Sequence, residues 1–204
     1  VVLNLKSPDA VAQAAQDMLA RVKAARPSAR LEGVTVHPMV TRAHGRELIA
    51  GLADDPTFGP VIVFGRGGKA VEVINDRALA LPPLDLRLAH DLIGQTRVVR
   101  VLHKYRDEPA ADMDAVALLL VKLSQMSADL PEIRELDLNP VVADEQGAMV
   151  IDARVAVAPS VELVHNGTNP RFAIAPYPKS WERQITLKAG QTLSLIHISS
   201  PRDS

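Results

Sequence analysis

The chain has 204 residues, is 47% hydrophobic and 23% charged, and carries a formal net charge of −1, values that belong to a folded protein with a sizeable core and argue against disorder. Lys and Arg are mixed among Asp and Glu, so there is no electrostatic footprint for nucleic acid or an anionic membrane, and no signal peptide or membrane-length apolar run is present. The lack of cysteine excludes a disulfide scaffold, thiolate catalysis and thiolate metal ligation, and is compatible with a reducing cytoplasm.

Taken in order, Val1-Val2-Leu3-Asn4-Leu5 has the composition of a strand. Ser7 is placed to cap a helix opening on Pro8, in which Val11, Ala14, Ala15, Met18, Leu19 and Val22 recur as one apolar stripe. Gly33 to Val40, Arg46 to Leu52 and Pro60 to Phe64 are strand-like, and shorter runs follow at Val71 to Ile74 and Ala78 to Leu81. Asp85 heads a short helix through Leu86, Ala89, Leu92 and Ile93, and a longer helix runs from about Asp112 to Ala128 before Pro131 stops it. Glu135 to Val142 and Val150 to Arg154 then form a ribbon, with Asp144, Glu145, Gln146 and Gly147 supplying the turn. Beyond Val157 the composition becomes that of a linker, at Ala158-Pro159-Ser160, Asn166 to Pro170 and Pro176-Tyr177-Pro178, and a last strand pair begins around Arg183 to Leu187. This order predicts an α+β fold, a mostly antiparallel sheet covered by helices, with an irregular C-terminal tail.

The ribbon is the strongest chemical candidate. Glu135, Asp137 and Asn139 lie two residues apart and share a face, while Leu136 and Leu138 turn to the core. Asp152 comes opposite that face, and carboxylate and amide oxygens together suit a hard cation such as Mg2+ completed by water and phosphate. Spacing alone describes an edge hairpin with a solvated polar face as well, and favours it. The loop Phe64-Gly65-Arg66-Gly67-Gly68-Lys69-Ala70 is not a Walker loop, because Val63 and Ala70 stand at its glycine and hydroxyl positions. Gly65, Gly67 and Ala70 spell G-x-G-x-x-A, yet Val71-Glu72-Val73-Ile74 alternates like a strand where that fingerprint opens a helix, so tight turning is favoured over phosphate contact. Glu47 is on the polar face of its strand, where a solvated charge is the default, and His37 and Met39 either line a slot for adenine or fill a sheet surface. The six histidines have no zinc spacing, and no serine stands in a nucleophile elbow.

In order, Gly33-Val34-Thr35-Val36-His37-Pro38-Met39-Val40, Gly45-Arg46-Glu47-Leu48-Ile49-Ala50-Gly51, Asp54-Asp55-Pro56-Thr57-Phe58-Gly59-Pro60-Val61, Phe64-Gly65-Arg66-Gly67-Gly68 and Glu135-Leu136-Asp137-Leu138-Asn139-Pro140 resemble the ATP-grasp domain of NDP-forming acyl-CoA synthetases. The resemblance covers residues 1–158. By analogy with succinyl-CoA synthetase β chains it implies Asn139 and Asp152 as metal ligands, Glu47 in the nucleotide cleft, and Val36, His37 and Met39 at the hinge that meets adenine. Gly65, Gly67 and Gly68 join them as candidate nucleotide contacts, with Arg66 or Lys69 assisting electrostatically. The implied cofactors are ATP, Mg2+ and, in a longer parent, CoA or acyl-CoA; the family's phosphohistidine would lie upstream, so no catalytic residue is expected in this chain. The same resemblance implies that the chain starts inside the ATP-grasp domain and lacks the CoA-binding half.

Arg171-Phe172-Ala173-Ile174-Ala175-Pro176-Tyr177-Pro178, Trp181-Glu182 and Ile185-Thr186-Leu187-Lys188 resemble the linker (159–182) and first strand (183–192) of a GNAT acetyltransferase, as in bacterial protein lysine acetyltransferases. The expected partners are thus a nucleotide and the CoA-binding and GNAT domains of the same polypeptide. Leu193 to Ser204 resembles a translated sequencing adapter, so it is set aside from the fold expectation and His197 carries no functional weight.

Overall fold

The computed structural model describes residues 1–68, 75–104, 107–160, 169, 171–173, and the backbone of 182–186 and 192–196. The chain divides into two units, Val1–Ala43 and His44–Ser204. Lys69, the expected strand at Val71 to Ile74, Trp181 and His197 lie outside the described residues.

The first unit holds helix α1 (Pro8–Ala25), which starts as expected: Ser7 Oγ accepts from the Ala10 N–H at 3.2 Å and Pro8 takes the first turn. None of its residues is buried. The strands expected at Val1 to Leu5 and Gly33 to Val40 are absent, and the fold corrects both expectations. A strand persists only when a neighbour takes up its backbone N–H and C=O groups, and no described residue of this unit pairs in a ladder. Asn4 also interrupts the extended run with φ of 61°.

The second unit is built on an antiparallel sheet of six strands: β1 (Arg46–Asp55), β2 (Gly59–Arg66), β3 (Arg77–Ala80), β4 (Ile133–Asp144), β5 (Gly147–Val150) and β6 (Ala153–Val157). Strand order is β3-β2-β1-β4-β5, and β6 pairs with the first half of β4. Two helices, α2 (Leu86–Gly94) and α4 (Met113–Asp129), cover one face, and the single turn α3 (Val99–Leu102) connects them. Their caps are the expected ones: Asp85 Oδ1 accepts from Leu88 N–H at 2.7 Å, and Asp112 Oδ1 from Ala115 N–H at 2.9 Å. Period-two alternation sends Leu48, Ala50 and Leu52, Ile62 and Phe64, and Leu136 and Leu138 into the core beneath Leu92, Ile93, Val116 and Leu120.

The ribbon differs from expectation in one respect. Its turn forms at Glu145 and Gln146, with Asp144 paired to Gly147 at φ of 124°. The strand expected at Val150 to Arg154, however, is broken at Ile151 and Asp152 into β5 and β6, which pair with successive halves of β4. The cause is irregular register on β4 itself: Leu48 and Ala50 of β1 pair with Val141 and Leu138, leaving Asn139 and Pro140 as a bulge. The bulge bends β4, and Ile151 N–H bonds the Pro140 carbonyl at 3.0 Å across it. Strands β7 (Glu182–Thr186) and β8 (Thr192–Ile196) form a separate antiparallel pair.

Candidate functional site

The sheet face opposite α2 and α4 is concave between β3 and β4, a groove of about 280 Å³. Its floor is Ile49, Gly51 and Ala53 of β1 with Val63 of β2; Arg77 of β3 stands on one rim, and Glu135, Asp137 and Asn139 of β4 on the other. The rim charges follow from alternation: Leu136 and Leu138 are 5% and 6% exposed, so their neighbours must face outward. A small, partly apolar floor between a guanidinium and a row of oxygens accommodates an anion and its cation side by side.

Asn139 and Asp152 are brought together by the bulge. The Asn139 N–H donates to the Asp152 carbonyl at 3.2 Å, both side chains are exposed, and Asp152 Oδ1 accepts from Ala153 N–H at 3.0 Å. One amide and one carboxylate stand here without a cluster of three or more carboxylate, thiol or imidazole groups among the described residues. Such a pair fits a hexacoordinate cation that keeps waters and takes oxygens from its own anionic ligand, and does not fit one caged by protein alone.

Glu47 projects from the same face of β1 as Ile49 and Gly51 and is exposed. The glycines next to it have different jobs from one another. Gly65 is a residue of β2, opposite Ile49, where an added Cβ would overlap the Asp76 carbonyl oxygen. Gly67 N–H donates to the Glu47 carbonyl at 2.8 Å, and a Cβ there would lie 2.8 Å from Glu47 C. Gly68 has φ of 83°, and a Cβ would lie 2.7 Å from Glu47 Oε2. The glycine turn therefore packs on Glu47 from backbone to carboxylate. Gly68→Ala is expected to destabilise the second unit by about 1–2 kcal/mol through the left-handed backbone and to push the Glu47 carboxylate aside. An unchanged urea midpoint would show that the turn accepts a side chain.

Val36, His37 and Met39 lie in the first unit, exposed and in no helix or strand. At the ribbon turn, Glu145 meets His44 Nδ1 at 3.1 Å. Its own backbone N–H, and then the His44 contact, hold its carboxyl below the ordinary glutamate value. The sequence reading gave Arg77 no role and placed Glu135 and Asp137 on the polar face of the ribbon without making them metal ligands. Arg77 had a signal, because Ala78 and Ala80 are the core-facing positions of its strand. Arg66, the other cation considered, is exposed, and its N–H is bonded to the Asp76 carbonyl at 3.1 Å.

A family described as the ATP-grasp domain matches residues 1–157. The chain is 42% identical over 161 residues to the ADP-forming acetate–CoA ligase I of Archaeoglobus fulgidus, covering 79% of this chain and 23% of that protein. It is 33% identical to the β subunit of the ADP-forming acetate–CoA ligase I of Pyrococcus furiosus, covering 76% of this chain and 66% of that subunit. Among solved structures, a Pyrococcus horikoshii protein superposes with a TM-score of 0.70 at 35% identity, over 78% of this chain and 67% of that one. The Ca. Korarchaeum cryptofilum dinucleotide-forming acetyl-coenzyme A synthetase 1, solved with coenzyme A and Mg-AMPPCP, superposes with a TM-score of 0.61 at 31% identity, over 77% and 67% of the two chains. The chain thus spans less than a quarter of the full-length ligase and about two thirds of the separate β subunit. Its fold, its ordered motifs and these matches agree: the chain belongs to the ATP-grasp family, as part of the ATP-grasp region of the ADP-forming acetate/acyl-CoA ligases.

Proposed function

We propose that the sheet face opposite α2 and α4 binds the phosphates of Mg-ATP, with Asn139 and Asp152 as the protein's oxygen ligands to the metal. The observation that carries this reading is the β4 bulge at Asn139, a lining residue of the groove whose N–H bonds the Asp152 carbonyl. Arg77 offers a cation to phosphate oxygens, and Glu47, gripped by Gly67 and Gly68, holds a carboxylate on the same face of the sheet. Mg2+ bound with the nucleotide neutralises charge on the phosphates. Val36, His37 and Met39 are assigned to adenine through the family resemblance alone.

The parent is an ADP-forming acyl-CoA synthetase-like protein using ATP and CoA. Its fusion to a GNAT acetyltransferase, with the synthetase region regulatory, rests on the tail around Arg171 to Lys188. A working acetate or acyl-CoA ligase is the second reading, favoured by the 42% identity to a ligase and by retention of Glu47, Asn139 and Asp152.

Calorimetric titration of the 204-residue chain with ATP, with and without Mg2+, tests the site. Weak, Mg-dependent binding is expected, weakened about tenfold, or about 1.4 kcal/mol, in either Asp152→Ala or Asn139→Ala. Binding indifferent to Mg2+ and to both substitutions would remove the two residues from the site. The chain alone is expected to show no ADP formation dependent on acyl-CoA.

A further inference from the structure

Helix α4 ends against a proline, and this creates a specific deficit. The carbonyl of Ser127 ought to accept from the N–H four residues on, but that residue is Pro131, which has none. Ser127 is 1% exposed as a whole residue, so water does not make up the bond. The missing donor comes from far along the chain: Asn169 Nδ2 bonds the Ser127 carbonyl at 2.8 Å.

Asn169 is itself 2% exposed, and its other polar groups are used to fold the residues after it. Its Oδ1 accepts from Arg171 N–H at 2.9 Å, and its carbonyl from Phe172 N–H at 3.1 Å. Phe172 is 9% exposed. Arg171 reaches back with Nη1 to the carbonyl of Pro131 at 3.1 Å, at the entry to β4, and with Nη2 to Asp54 at the end of β1. Gly59, with φ of 69°, leaves room for the Arg171 carbonyl, which a Cβ at that position would overlap. Asn169, Arg171 and Phe172 lie beyond the family match, which ends at residue 157.

We propose that the corner formed by the C-terminus of α4, the β1–β2 turn and the entry to β4 is a docking site for the chain's own residues Asn169, Arg171 and Phe172, which act as a latch. Asn169 and Arg171 thereby anchor the chain to helix α4 and to the strands β1 and β4 that carry the groove residues. This inference does not depend on what the groove binds.

Limited tryptic digestion of the full chain, read by mass spectrometry, tests the latch. Cleavage after Arg30, in exposed chain of the first unit, gives the open rate, and cleavage after Arg134, within β4, reports opening of the sheet. In the unaltered chain the Arg171–Phe172 bond is expected to be cut about tenfold or more slowly than Arg30–Leu31, because cleavage tracks the open population. Asn169→Ala and Asp54→Ala are each expected to raise cleavage after Arg171 to near the Arg30 rate while leaving Arg134 protected. Equal rates at Arg171 and Arg30 in the unaltered chain would overturn the proposal. So would protection of Arg171 that survives Asn169→Ala. Should Asp54→Ala expose Arg134 as well, Asn169→Ala alone decides, since it removes a side chain from the latch and none from the sheet.

Discussion

Asp76→Ala is expected to destabilise the second unit by about 3–5 kcal/mol, a large part of the stability of a domain this size. Asp76 is 8% exposed and stands just before β3. One carboxylate oxygen accepts from Arg97 N–H and the other from Val98 N–H, both at 2.7 Å, with Arg97 Nε 3.7 Å away. Those two amides begin the turn that leads into α3, so a single carboxylate joins the β3 edge of the sheet to the connection between the two covering helices. Alanine takes the charged acceptor away from both amides, at least one of them buried, and bonds to a charged acceptor are among the stronger ones a fold makes. Asp76→Asn keeps one acceptor oxygen but turns an NH2 toward an N–H, so it is expected to recover less than half of the loss. Urea unfolding of the three chains provides the comparison; a loss in Asp76→Ala below about 1 kcal/mol would mean that the turn is held by its hydrophobic contacts instead.

Asp76 also illustrates what was legible in the sequence. The helices were, because their signals are local: Ser7 with Pro8, Asp85 and Asp112 each stand at the first turn they cap. The alternation of β4 correctly assigned Leu136 and Leu138 to the core, and with it the outward face of Glu135, Asp137 and Asn139. What depended on a partner distant in sequence was not legible. The turn α3 forms where Asp76 receives its amides, the break at Ile151 and Asp152 forms where β4 bulges, and neither strand expected in the first unit finds a ladder. The glycines could be read two ways in the sequence for a related reason. A glycine-rich string looks the same whether it approaches a phosphate or another stretch of protein, and here Gly65 approaches Asp76 while Gly67 and Gly68 approach Glu47.

The same reasoning makes Gly51 the most sensitive point of the candidate site, and Gly51→Val is expected to cost about 3–5 kcal/mol of stability. Strand β1 is interior, between β2 and β4, and Gly51 pairs with Asp137 on the groove side. A Cβ at Gly51 would overlap the Leu136 carbonyl oxygen and come within 3.6 Å of Asp137 Cα. These are backbone atoms, so no side-chain rotation relieves the contact, and β4 must move away from β1 along the stretch that carries Glu135, Asp137 and Asn139. Stability and nucleotide binding are therefore expected to fall together. Ala53→Val separates the two effects: it lies two residues along on the same face and lines the same groove, where the added methyls occupy ligand space and not backbone space. That variant is expected to keep its urea midpoint within about 0.5 kcal/mol of the unaltered chain while binding Mg-ATP about tenfold more weakly. A folded Gly51→Val of normal stability would show that β4 is free to shift, and full affinity in Ala53→Val would place the nucleotide elsewhere than on this face of the sheet.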